Sequence, residues 1–431
     1  MPSSAASCFP LWSLIPFVLM LVSIAILPAI VPHWWKRDRN KAILSIIASV
    51  PVLAIVLPCR PSLLWHSLLD YFSFLTLLTS LFVIAGGIYI KGEYAGTPLV
   101  NTMFLCLGAL LANLIGTPGA SMLLIRPFLR ANHLRKHRKH LIVFFIFVVC
   151  NTAGLLTPLG PPLFLGFLRG VPFTWTFSLF PQWLVVVGGL LLIFNIYDEF
   201  VFTKEERETH RALSEVVRAR HPLRIEGGIN CLYLLGFMAA IIFNGYYGWP
   251  RGIQEAILIA MALLSWYRTP RAIHRANHFH FSPILEIAAL FLGIFVTMVP
   301  ALEILNARAS TIGLTAPWHF FWLSGLLSAV LDNAPTYMTF TAMASGLVGG
   351  SAENLSSLLQ SEPGRVLLAA ISCGSVFMGA LTYIGNAPNF MVKSIAERHD
   401  METPSFAGYM VYSTLIMTPL FLLITFVFFR G

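Results

Sequence analysis

The sequence predicts an all-α polytopic membrane protein built from two inverted-topology repeats. Each repeat has five transmembrane helices plus one re-entrant hairpin, and one helix per repeat is broken at mid-membrane. Three observations predict this. First, 57% of the 431 residues are hydrophobic and only 11% are charged, against about 25% charged in soluble chains. Second, Gly154-Leu-Leu-Thr-Pro-Leu-Gly160 and Gly379-Ala-Leu-Thr-Tyr-Ile-Gly385 share the pattern Gly-x-Leu-Thr-x-x-Gly at an offset of 225 residues. Third, both motifs place polar, Gly/Pro-broken sequence inside apolar runs. At membrane depth a helix breaks only where the freed backbone groups line a protected cavity, and matching breaks in two halves point to a bound solute.

The first repeat spans residues 1–202. Its first helix, Leu11–Val31, is long enough to span and has no basic run or small-residue cleavage site before it, so it reads as a retained helix and not a signal. A basic loop, His33–Lys41, leads to helices Ala42–Leu57 and Ser67–Ile90. The apolar run Pro98–Leu129 is interrupted by Asn113-Leu-Ile-Gly-Thr-Pro-Gly-Ala-Ser121. Its arms are about 15 residues each, short of the ~20 needed to cross, so they read as a re-entrant hairpin. The basic loop Arg130–His140 follows, then helix Leu141–Leu168, broken at Gly154–Pro162, and helix Gln182–Phe202.

A polar cytoplasmic linker, 203–227, has spacing that suits a short surface helix. The second repeat, 228–431, follows the same plan. Its helices are Ile229–Tyr247, Ile253–Tyr267 and Pro283–Leu305, then a hairpin Pro317–Leu347 interrupted at Asp332-Asn-Ala-Pro335. The broken helix Arg365–Ile395 and a last helix Ala407–Phe429 complete it. Weaker echoes support the repeat: Gly108 and Pro118 match Gly325 and Pro335 at an offset of 217, and Leu81-Phe82 matches Leu290-Phe291 at 209.

Charge gives an independent check. With both termini outside and both hairpins returning to their side of origin, 22 Lys and Arg fall inside. Six remain outside: Arg60, Arg169, Arg251, Arg308, Arg365 and Arg430. That asymmetry is what the positive-inside rule demands, and it collapses if either hairpin crosses fully. The net charge of +9 therefore reflects topology and not nucleic-acid binding. Six cysteines without C-x-x-C spacing read as small buried hydrophobes.

The breaks carry nearly all the polar groups expected at mid-membrane. The hairpin tips offer Asn113, Thr117 and Ser121, then Asp332, Asn333 and Thr336. The broken helices offer Asn151, Thr152, Thr157 and Gly160, then Thr382, Gly385, Asn386 and Asn389. Unwound backbone exposes carbonyls that suit Na⁺, half-helix N-termini attract anions, and Asn and Thr oxygens are hard neutral ligands. Asp332 is the sole carboxylate at any break. Beside Asn333 and Asn386 it could hold Na⁺ and exchange it for a proton, although a helix N-cap would use the same residue. Glu286 and Glu303, near the ends of their helix, read either as functional carboxylates or as interfacial ion-pair partners, and Asp70, Asp198 and Glu199 as helix-end residues in solvated or structural roles. His133, His137 and His140 share a helical face, but their Lys/Arg neighbours disfavour a metal. No Walker motif, nucleotide-binding glycine loop or nucleophile elbow occurs. An intramembrane enzyme would need a pair such as Asp332 with Glu303, and the breaks of the two broken helices supply no His, Ser or Cys partner for it.

Four stretches carry a resemblance. They are Asn151-Thr-Ala-Gly-Leu-Leu-Thr-Pro-Leu-Gly-Pro-Pro-Leu-Phe-Leu-Gly-Phe-Leu168, Leu290-Phe-Leu-Gly-Ile-Phe-Val-Thr-Met-Val-Pro300, Asp332-Asn-Ala-Pro-Thr336 and Thr382-Tyr-Ile-Gly-Asn-Ala-Pro-Asn389. Together the chain resembles the ion transporter superfamily, which includes NhaD-type sodium/proton antiporters, arsenite-pump membrane subunits and citrate and dicarboxylate carriers. The resemblance implies a bacterial inner-membrane protein, a homodimer with an elevator-like motion, and a site at Asn113–Ser121, Asn151–Gly160, Asp332–Thr336 and Thr382–Asn389. Two departures stand out: Gly160 runs straight into Pro161-Pro162 without an intervening acid, and the Ser-Asn-Thr signatures of dicarboxylate carriers are absent. The expected activity is secondary transport, Na⁺/H⁺ antiport first, with a Na⁺- or H⁺-coupled carrier of citrate, another carboxylate or an oxyanion as the alternative. No cofactor beyond the transported Na⁺ and H⁺ is expected. The partners are the lipid bilayer and the small ion or anion.

Overall fold

The computed structural model describes residues 9–35, 37–91, 96–209, 224–277, 279–311, 313–399 and 401–430. Most of the linker expected at 203–227 and the basic residues Lys36, Arg211, Arg218 and Arg220 lie outside these. Helices of eight residues or more are numbered here. In the first half they are α1 Ile15–Ile30, α2 Asp38–Cys59, α3 Pro61–Gly86, α4 Pro98–Ala131, α5 Lys139–Val148, α6 Pro161–Leu168 and α7 Phe180–Thr209. In the second half they are α8 Ile229–Tyr247, α9 Ile253–Arg268, α10 Ser282–Ala307, α11 Pro317–Ser328, α12 Asn333–Leu347, α13 Glu362–Phe377, α14 Ala387–Arg398 and α15 Phe406–Phe428. Among the described residues, eight helical stretches are long and apolar enough to cross a membrane. The protein is an integral, multi-pass membrane protein.

The long segment α4 bends back on itself. At Ile115 and Gly116 the backbone leaves the helical region, with Gly116 at φ 67°, ψ 161°, a combination essentially restricted to glycine. Asn101 and Asn132 exchange side-chain hydrogen bonds of 2.9 Å, whereas a straight helix would hold them about 46 Å apart. Pro118 opens the second arm, where its missing N–H costs nothing. In the second half, α11 and α12 also turn back: the Phe320 and Phe340 rings lie 6.3 Å apart, edge to face.

Several boundaries differ from expectation. α3 starts at Pro61, so Asp70 sits inside the helix and is buried, not at its end. The break after α5 begins at Val149, well before Gly154, because Asn151 and Thr152 turn their side chains onto their own helix. α7 continues to Thr209, past the expected Phe202. The last linker residues, Arg224–Glu226, form strand β2, antiparallel to β1 at Tyr89–Lys91. Three cysteines expected to be buried, Cys59, Cys106 and Cys231, are exposed, whereas Cys150 and Cys373 are buried. An apolar run in a membrane protein faces lipid as readily as core, so apolar context alone did not place them.

The helices sort into two groups. α1, α2, α3, α8, α9 and α10 pack on one another, and α4–α7 pack with α11–α15. Each half of the chain contributes to both groups. They meet where α3 lies against α4 and α6, and α10 against α12. The interrupted elements are the most enclosed: α5 is buried from His140 to Val148, and α13 from Leu367 onward shows little surface.

Candidate ion and substrate site

Each break frees backbone groups, and nearby side chains collect them. Asn151 Nδ2 donates to the Ile146 carbonyl at 2.9 Å, and Thr152 Oγ1 to the Phe147 carbonyl at 2.8 Å. The tip of the first hairpin is fastened to this break. Asn113 Oδ1 accepts from Leu156 N at 2.9 Å, and Thr157 Oγ1 donates to the Asn113 carbonyl at 2.6 Å. Asn113 Nδ2 is held by the Ala109 carbonyl at 2.9 Å.

The second half repeats the fastening. Thr382 Oγ1 donates to the Ala329 carbonyl at the tip of the second hairpin, and accepts from Gly385 N at 3.0 Å. Thr157 and Thr382, 225 residues apart, thus serve the same purpose. So do Gly160 and Gly385: a Cβ on them would lie 3.3 Å from the Gly154 carbonyl and 2.6 Å from the Gly379 carbonyl. Asn389 Nδ2 bridges the carbonyls of Gly379 and Thr382, both at 2.9 Å.

The two breaks are also joined to each other. Asn151 Nδ2 donates to Asn389 Oδ1 at 2.7 Å. Asn386 Nδ2 donates to the Cys150 carbonyl at 2.9 Å and to Asn151 Oδ1 at 3.1 Å. Gly379 allows the close approach, since a Cβ there would collide with the Asn333 side-chain amide and lie 3.1 Å from Asn151 Oδ1. With its amide nitrogen turned inward, Asn333 donates to Gly385 O at 2.9 Å and Ser375 O at 3.2 Å, the orientation that the surrounding acceptors favour. The chain of contacts therefore runs from the first hairpin tip through both breaks to the second tip.

The expected site residues do not all share one environment. Asn113, Asn151, Thr157, Gly160, Asn333, Thr382, Gly385, Asn386 and Asn389 come together. Thr117 sets its methyl against Gly154, where a Cβ would lie 2.6 Å away. Ser121 Oγ bonds Cys150 Sγ at 3.2 Å. Thr152 is turned back into its own helix. Asp332 caps α12, its Oδ1 accepting from Ala334 N at 3.2 Å, and Thr336 Oγ1 donates to the Asp332 carbonyl at 3.0 Å. Asp332 is half-buried, and among the described residues no basic side chain forms an ion pair with it. Sequence reasoning missed Ser328, whose hydroxyl donates to the Ser375 carbonyl at 2.7 Å, and Ser375, whose buried hydroxyl has no partner among the described residues. Serines inside apolar helices carry no break signal, so nothing marked them.

Several carboxylates elsewhere are engaged. Lys41 pairs with Glu286 at 2.9 Å, and Arg60 with Glu303 at 3.3 Å, so both glutamates have an ion-pair partner. Asp70 pairs with Arg169 at 3.4 Å. Asp198 is fully buried, held by Arg135 at 2.7 Å and His140 at 2.8 Å, and Arg135 also binds Glu205 at 2.8 Å. This knot uses His140, and among the described residues no cluster of His, Cys, Asp or Glu is arranged for a metal.

Many apolar helices thus surround a buried meeting of interrupted segments. The chain belongs to the family described as "Putative citrate transport", whose model matches residues 6–429. Among curated proteins, none matches the chain.

Proposed function

We propose that the protein is a secondary active transporter running Na⁺/H⁺ antiport, with Asp332 as the shared proton and cation carboxylate. The observation that carries this reading is the half-buried Asp332 carboxylate, which has no basic partner among the described residues. Beyond its helix cap, a carboxylate in such a place favours a compensating cation, either a proton or a metal ion. Asn333 and Asn386 supply neutral oxygens for Na⁺, with Thr157, Thr382 and the carbonyls freed at the breaks around them. In this reading the halves are inverted repeats, the hairpins are re-entrant, both termini lie outside, and the protein works as a homodimer with an elevator-like motion.

The test is flux into proteoliposomes. The wild type should exchange Na⁺ for H⁺ without any organic anion, and Asp332→Asn should abolish both the flux and its dependence on pH. Survival of either rules out the carboxylate assignment. A second reading is favoured by the family match: a Na⁺- or H⁺-coupled carrier of citrate, another carboxylate or an oxyanion. Labelled citrate uptake, absent Na⁺ movement without citrate, selects that reading.

A further inference from the structure

The first hairpin carries a cation that nothing described in the fold neutralises. Arg126 lies on the second arm of α4, within the last two turns. It is half-buried, and its Nε and Nη1 are enclosed with no hydrogen-bond partner among the described residues. Among the described residues, the ionisable groups that act on it are Arg130, one turn further on, and the Tyr89 phenol of β1. Arg130 donates from Nη2 to the Ile90 carbonyl at 2.8 Å, and its guanidinium lies 5.7 Å from the centre of the Tyr89 ring. The ribbon's own carboxylate, Glu226, stands opposite Tyr89 but is 3.5 Å from Lys91. Arg224 and Lys91 add two more positive charges to the ribbon.

A guanidinium partly shielded from water without a counter-charge is costly, and costlier with another guanidinium beside it. Two arginines one turn apart raise the local potential toward anions. The planar fork of each matches the two oxygens of a carboxylate or phosphate. We infer that Arg126 and Arg130 form a binding site for the carboxylate or phosphate group of an anion, at the seam between the first hairpin and β1. The anion is either a soluble polycarboxylate or the headgroup of an acidic lipid. The site stands on this geometry alone and holds whichever coupling the transporter uses.

The experiment uses the purified full chain. Citrate or inorganic phosphate is titrated in neutral detergent while thermal unfolding is followed, and phosphatidylglycerol is compared with phosphatidylcholine in nanodiscs. A saturable rise in Tm with citrate or phosphate, weakened about tenfold or more in Arg126→Gln and partly retained in Arg126→Lys, assigns a soluble anion. The same pattern with phosphatidylglycerol alone assigns a lipid. The inference is overturned if none of the three probes shifts the wild type more than Arg126→Gln. Without ligand, Arg126→Gln should melt no lower than the wild type, because it removes an uncompensated charge. A variant that unfolds unaided would mean the guanidinium is already satisfied, which also overturns the site.

Discussion

Asn151 bears the most at the centre of the molecule. It donates to Ile146 and Asn389 and accepts from Asn386, so one amide holds both breaks. Asn151→Leu would leave several buried polar groups unmet at about 1–3 kcal/mol each. The expected loss is about 3 kcal/mol or more by denaturant unfolding in detergent, larger than for Asn113→Leu, whose contacts stay within the first half. If the two losses are equal, the cross-half amide contacts do not hold the centre. The type of residue at the breaks was readable in the sequence, because few residues other than Asn and Thr can serve backbone groups that a break has freed. Their partners were not readable. Asn151 and Asn389 are 238 residues apart, and nothing local to either names the other. The same limit applies to Asp332: the sequence allowed both a cap and an ion ligand, and the cap is seen.

Elements stand or fall by their turns. The reversal in α4 depends on Gly116, whose φ of 67° and ψ of 161° suit no residue with a Cβ. Gly116→Ala should cost about 1–3 kcal/mol and should loosen the Asn101–Asn132 pairing at the base of the hairpin. Hydrogen exchange at residues 98–131 measures this; unchanged protection there would show that the turn tolerates a side chain. The interruption within α4 was legible because Gly and Pro mark such breaks. The ribbon of β1 and β2 was not. Three-residue strands offer no alternation to detect, and their pairing depends on how α3 and α8 are placed. Helix starts also drifted, as at Pro61 for α3, because hydropathy fades gradually while a proline at the first turn is what begins the helix.

At the scale of the whole molecule, two groups of helices meet along α3 and α10, and polar bonds cross that seam. Asp70 reaches Arg169 at 3.4 Å, His66 reaches Glu353 at 3.2 Å, and Asn306 Nδ2 donates to the Ala342 carbonyl at 2.9 Å. The Asp70–Arg169 pair is buried. Removing one member strands the other, so Arg169→Met alone should cost about 3–5 kcal/mol, and the double replacement Asp70→Leu with Arg169→Met should recover most of it. Thermal unfolding of the three variants tests this; no recovery in the double variant would mean the pair is not the source of the loss. His66 and Glu353 are exposed, so their separation should cost under about 1 kcal/mol. The exposed thiols carry a further consequence. Cys59 closes α2 beside Arg60, and Cys231 lies in the first turn of α8, while Cys150 and Cys373 are sealed inside. A membrane-impermeant maleimide added to intact cells therefore has native handles at the ends of two different helices. Which of them it modifies reads out the sidedness of the polypeptide without a single engineered residue.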